Sequence, residues 1–138
     1  MTSVIRVAVG ILTRAQQVLI CQRRPQDPHP LKWEFPGGKA QTGEDSIACL
    51  QRELREELAI DATIGAELQS AVHTYPNGRT VALTFLHVPR YRGEIRNIQF
   101  QTVLWVGPTD LLSYDFLEGD LPFVTALAQG EWASIFSS

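Results

Sequence analysis

R-E-L-R-E-E, residues 52–57, places three glutamates within five positions: Glu53, Glu56 and Glu57. At about 100° per residue on a helix, the three share an arc of about 100° beside an apolar stripe of Ile47, Leu50, Leu54 and Leu58. This periodicity predicts a helix over about 43–58, packed by its stripe on a sheet, with Thr42 and Asp45 forming a capping box at its start. Carboxylates this close repel one another unless cations offset them. Arg52 reaches Glu56 at the four-residue spacing, but one arginine does not balance three acids. Taken alone, the stretch reads as a solvated charged face.

The residues upstream change that reading. Gly37 and Gly38 leave backbone N–H and C=O groups open to phosphate or metal just before the helix, Lys39 adds a cation, and Glu44 adds a fourth acid. An acidic helix joined to a glycine-rich segment has the makings of a metal–phosphate site. Oxygen donors without neighbouring Cys or His suit Mg²⁺ or Mn²⁺ rather than zinc.

The rest of the chain supplies the scaffold. IRVAVGIL (5–12) and VLICQR (18–23) read as strands joined by a polar turn, and the opening MTSVIRVAVGIL reads as a first strand rather than a signal peptide. Residues 24–35 hold three prolines and read as an irregular loop, and the following Pro-Gly-Gly (36–38) argues against regular structure. Residues 67–75 and 80–88 flank a Pro-Asn-Gly turn and predict a hairpin; 100–106 predicts a further strand. A closing helix is expected over 120–130, capped by Asp120 and ended by Gly130. Strands interleaved with helices predict an α/β fold, a mixed sheet with helices packed on it, in a single domain spanning 1–138.

Composition sets the bounds. The chain has 138 residues, 44% hydrophobic and 20% charged, which suits one globular core. A net charge of −3 argues against a nucleic-acid polymer as partner, and no apolar run is long enough to span a bilayer. Cys21 and Cys49 form no disulfide framework and read as buried thiols in a reducing compartment, so the cytoplasm is the expected location. Monomer and homodimer both remain open.

GKAQTGEDSIACLQRELREELAI (38–60) resembles the Nudix box, G-x5-E-x7-R-E-U-x-E-E-x-G-U with U aliphatic. Gly38, Glu44, Arg52, Glu53, Leu54, Glu56, Glu57 and Ile60 fill their places, while Ala59 stands where the family has glycine. LKWEFPGGK (31–39), LICQRR (19–24), LWV (104–106) and DLPFV (120–124) are similar to segments of the MutT-like nucleoside triphosphate pyrophosphohydrolases. The resemblance implies an α/β/α sandwich around a mixed sheet, and Mg²⁺- or Mn²⁺-dependent hydrolysis of a nucleoside triphosphate to a monophosphate and pyrophosphate. It implies that Glu53, Glu56 and Glu57 hold the metal with a carbonyl of Gly37 or Gly38. Glu53 is the first candidate for general base and Glu44 the second, with Arg52 orienting the carboxylates. Lys39 and Arg23 are candidate phosphate contacts; for Arg23, an ordinary surface role is the alternative.

Related enzymes carry a further metal-binding glutamate six residues before the late-strand tryptophan. Counting back from Trp105 gives Gln99, so Glu94 is the alternative acid. At Asp120 the resemblance places a base contact. An ionised aspartate only accepts hydrogen bonds and favours an exocyclic amino group, as on cytosine; a raised pKa restores a donor and admits 8-oxoguanine. Helix capping is its other reading. Tyr75, Phe35 and His73 are candidates for a base pocket and equally for the core. The leading expectation is an 8-oxo-dGTP diphosphatase serving the nucleotide pool. A CTP/dCTP pyrophosphohydrolase, a hydrolase of another nucleoside diphosphate derivative, and a nucleotide-binding module with weak catalysis are the alternatives.

Overall fold

The computed structural model describes residues 4–137; Met1–Ser3, at the head of the expected first strand, lie outside them. β1 (Val4–Arg14) and β2 (Gln17–Gln22) form the first hairpin, and β3 (Trp33–Glu34) and β4 (Gly37–Lys39) follow it. Next come α1 (Ser46–Leu58), β5 (Asp61–Thr63) and the hairpin of β6 (Glu67–Thr74) with β7 (Thr80–Val88). β8 (Arg90–Arg92), β9 (Thr102–Val106) and α2 (Leu121–Ala128) complete the chain, with short 3-10 turns around α2.

The main sheet runs β3-β2-β1-β7-β6, with β4 also paired to β1 and β9 to β2. β1 and β7 are parallel over nine residue pairs, from Val4↔Thr80 to Leu12↔Val88, while the other pairings are antiparallel, so the sheet is mixed. Alternation along the strands divides the core. Ala8, Leu12, Leu19, Cys21, Leu86 and Val88 face Leu50, Leu54 and Leu58 of α1. Val9, Ile11, Val18, Ile20, Leu83 and Phe85 face Phe123, Val124 and Leu127 of α2. The result is the α/β/α sandwich that the resemblance implied. Both cysteines are buried and free.

Several boundaries differ from the sequence reading. α1 starts at Ser46, and its N-cap is Asp45, whose carboxylate accepts from the Ala48 N–H at 2.8 Å. Thr42 lies in the preceding turn, because Gly43 (φ 83°) bends the chain where a capping box would need helix. Ile47 is therefore in the first turn, 48% exposed beside β5, and Cys49 joins the buried stripe. Pro-Gly-Gly does not end regular structure. β1 and β2 pair only near their turn, at Thr13↔Val18 and Arg14↔Gln17. Beyond it they separate, and residues 33–39 fill the gap: β3 pairs with β2, and Gly37 and Gly38 pair with Val9 and Ala8.

Candidate active site

Gly37 and Gly38 reach the middle of the sheet because they lack side chains. Gly37 has φ 149°, and a methyl there would collide with the Ala8 carbonyl oxygen. A methyl on Gly38 would lie 2.6 and 2.7 Å from the carboxylate oxygens of Glu53. The strand and the acidic face of α1 are thus in direct contact. The Gly38 carbonyl faces the same helix, where the Cys49 thiol donates to it at 3.4 Å.

Arg52 gathers the acids of that face. Its Nε and Nη2 donate to the two oxygens of Glu44 at 2.6 and 3.0 Å. Its Nη1 donates to Glu53 at 3.0 Å and to Glu56 at 3.2 Å, and Nη2 also reaches the Lys39 carbonyl at 3.0 Å. This bridge extends to two more acids, Glu44 and Glu53, than the four-residue helix spacing suggested. The Arg52 hydrogen bonds, with a Gln41 N–H donated at 2.8 Å, hold the Glu44 carboxyl at about 2. Burial raises the Glu53 carboxyl, against the pull of Arg52.

Glu57 does not share the exposed arc of Glu56. It is 9% exposed, turned inward, and accepts from the Gly37 N–H at 3.0 Å. Burial first, then repulsion from Glu53, pushes its pKa up to about 9. Among the described residues, no three acidic, histidine or cysteine side chains converge as a ready metal cage. The physical reason is visible: Arg52 holds Glu53 and Glu56 on the outer face while Glu57 points into the protein. The donor set is nevertheless all oxygen, and a buried carboxylate beside two more carboxylates and a backbone carbonyl fits a hard divalent cation.

Glu57 opens into a cleft of about 250 Å³. Arg23, Phe35, Gly37, Gly38, Lys39, Tyr75, Gln99 and Asp120 line it with Glu57, so most of the residues singled out in the sequence meet here. Arg52, Glu53 and Glu56 lie on the adjoining helix face, and Glu44 is tied to it by Arg52 from the turn before the helix. Asp120 precedes α2 but makes no side-chain cap; its own backbone is already helical (φ −88°, ψ −16°). It is 5% exposed, and burial followed by repulsion from Glu34 raises its pKa to about 8. Phe35 is both wall and core, packed against Phe116 and Phe123. Lys39 keeps an exposed side chain at the cleft.

Three of the sequence candidates have surroundings that favour the alternative reading of each. Arg23 lines the cleft but is already engaged with protein groups: Nη1 donates to Glu34 at 3.1 Å and Nε to the Pro28 carbonyl at 2.6 Å. Glu94 belongs to a separate groove with Arg14, Tyr91 and Trp105, whereas Gln99 lines the cleft. His73 is not a wall of the cleft; its ring packs edge-on against Tyr75 with centroids 4.5 Å apart. Two acids went unnoticed in the sequence, Glu34 and Asp27, both lining the cleft. Glu34 is raised to about 7 by burial, opposed by Arg23. Its place beside the W-x-F-P-G-G run was the only available signal, and it does not tell an inward acid from an outward one.

A NUDIX domain model matches residues 4–127. The chain is 35% identical over 122 residues to a CTP pyrophosphohydrolase of Escherichia coli K12, covering 88% of this chain and 90% of that one. It is 31% identical over 124 residues to an 8-oxo-dGTP diphosphatase of the same organism, covering 89% and 95%. The solution structure of the E. coli ORF135 protein superposes with a TM-score of 0.84 at 33% identity, over 96% of this chain and 94% of that one. The MutT NUDIX hydrolase of Burkholderia pseudomallei shares the fold with a TM-score of 0.80 at 20% identity, over 89% and 97%. With the box residues on α1, the cleft beside them and these matches along most of its length, the chain belongs to the NUDIX family and is a hydrolase acting on acid anhydrides.

Proposed function

We propose that the protein hydrolyses (deoxy)nucleoside triphosphates to a nucleoside monophosphate and pyrophosphate, with 8-oxo-dGTP as the leading substrate. One observation carries this reading: a single cleft joins the acidic, glycine-lined face at Glu57 to two further acids, half-buried Glu34 and buried Asp120, beside Tyr75. The first side suits phosphates with a divalent cation, and the second suits a nucleobase. Glu53, Glu56 and Glu57, with a carbonyl of Gly37 or Gly38, would hold Mg²⁺ or Mn²⁺. When bound, the cation neutralises phosphate charge and makes water more acidic.

The chain's own groups do the rest. Glu53 takes the proton of the attacking water as general base, since burial raises its pKa while Glu44 is held at about 2 and is a weak base. Glu44 instead anchors Arg52, which sets the direction of Glu53 and Glu56. Lys39, exposed at the cleft, attracts the phosphates. Arg23 acts through Glu34 rather than on phosphate. Gln99 offers an amide carbonyl where related enzymes carry an acid.

Asp120, at about 8, is mainly protonated at neutral pH and donates a hydrogen bond, which suits an 8-oxopurine. Glu34, at about 7, is part ionised and accepts. An acceptor beside a donor also matches the amino and ring-nitrogen edge of cytosine, and this observation favours a second reading as a CTP or dCTP pyrophosphohydrolase. Pyrophosphate release from 8-oxo-dGTP, dGTP, dCTP and CTP, with and without Mg²⁺, tests both. Glu53→Gln and Glu57→Gln are expected to lower turnover by about 10²- to 10⁴-fold with the fold retained. Turnover of 8-oxo-dGTP is expected to decline as pH rises through about 8, where Asp120 loses its proton, and to decline less in Asp120→Asn, where Glu34 alone of the pair still titrates. Nucleotide binding without turnover by the wild-type protein would instead mean a binding module.

A further inference from the structure

Tyr75 is the aromatic ring that meets both the cleft and its mouth. It lines the cleft with Asp120, and its hydroxyl closes on Gly119, where a Cβ would lie 2.8 Å from Oη. From β6, His73 packs edge-on against this ring and holds it. From the 24–32 loop, His29 covers it, with ring centroids 5.2 Å apart and planes tilted by 37°. The same loop sends Asp27 into the cleft and ties to Arg23 through Pro28.

His29 lacks the marks of a structural residue. It is exposed, and among the described residues its ring makes no hydrogen bond. Its backbone adopts φ 53°, and Leu31 two residues on adopts φ 62°, both left-handed conformations that strain a side chain. Such strain at two residues exceeds what one exposed aromatic contact gains, so the ring contact alone does not hold the loop over Tyr75.

We propose that His29 and Tyr75 form a specificity-determining clamp: the nucleobase enters between the two rings, stacking on Tyr75 and displacing His29 outward with its loop. This rests on the triphosphate reading above and adds residues to its base side. Two ring contacts of about 3.5 Å each need rings about 7 Å apart, so His29 must withdraw by about 2 Å. Relaxation of the left-handed backbone at His29 and Leu31 supplies that movement. Tyr75 stays in place, because His73 and the Gly119 backbone hold it.

Steady-state kinetics with the preferred triphosphate test the clamp, with inhibition by inorganic pyrophosphate, which has no base, as the internal control. His29→Ala is expected to raise KM about 5- to 10-fold, with kcat changed less than about twofold and the pyrophosphate inhibition constant unaltered. His29→Phe should restore KM, since the contact requires a ring and not an imidazole. Gly119→Ala should raise KM similarly by pushing Tyr75 aside. An unchanged KM in His29→Ala, or equal loss of triphosphate and pyrophosphate affinity, overturns the clamp while leaving the triphosphate reading intact. A wild-type protein that turns over no nucleoside triphosphate overturns that reading and the clamp with it.

Discussion

Ala59 shows how one side chain can work against the backbone it sits on. It ends α1 in the left-handed region (φ 59°, ψ 32°), and its N–H still bonds to the Arg55 carbonyl. The Nudix pattern has glycine there, and alanine costs stability only where φ is positive. The structure makes φ positive, so the cost is present. Ala59→Gly is expected to stabilise the protein by about 0.5–1 kcal/mol, the relief of left-handed strain exceeding the added freedom of the unfolded chain. Thermal denaturation should show a rise of about 2–5 °C, and no rise would mean the neighbouring backbone has already absorbed the strain. Arg52 and Glu44 illustrate the reverse case. Their residue types and spacing were plain in the sequence, yet only side-chain contact shows that the arginine fork binds Glu44 with two bonds.

α1 was the most legible element, because its apolar spacing matches the helical period over three turns. Its start was misread: Thr42 followed by Asp45 satisfies the capping-box pattern, but Gly43 turns the chain first and Asp45 takes the cap. Asp45→Ala is expected to cost about 1 kcal/mol, against no measurable change for Thr42→Ala, as read by chemical denaturation. Equal effects of the two would return the cap to Thr42. β3 and β4 were illegible for a different reason. They are two and three residues long, contain two glycines and carry no alternating pattern, so nothing local marks them as strands. They form because β1 and β2 diverge and leave unpaired backbone groups between them, and buried groups of that kind require partners.

The cleft belongs to the molecule as a whole, since its walls come from β1, the loop after β2, β3, β4, α1, the turn between β6 and β7, β7, the loop before β9 and the turn before α2. Three acids line it, Asp120 and Glu57 buried and Glu34 half-buried, with pKa raised to about 7 for Glu34, about 8 for Asp120 and about 9 for Glu57. Each binds a proton more tightly folded than unfolded. The native state therefore holds more protons than the unfolded chain between about pH 4.5 and 9, and the stability of the metal-free protein falls as pH rises through that window. Thermal melts from pH 5.5 to 8.5 should show the decline, with a shallower slope in Glu57→Gln. Mg²⁺ should raise the melting temperature more at pH 8.5 than at pH 5.5, since cation and proton compete for the same carboxylates. A pH-independent metal effect would remove Glu57 from the ligand set.

By itself the sequence determined the family, through the fixed spacing of its box, the mixed sheet with helices packed on it, and the oxygen-rich character of the candidate site. These depend on residue type, on spacing along one helix and on alternation along strands, all of which are local along the chain. It left undecided which acids face inward and which arginine is free. Folding resolved those points by bringing Glu57 against Gly37, Arg23 against Glu34, and Asp120 into the interior beside Glu34. Burial and the approach of charges from distant segments set those outcomes, because a carboxylate's solvation and its partners arise only when separate elements pack together.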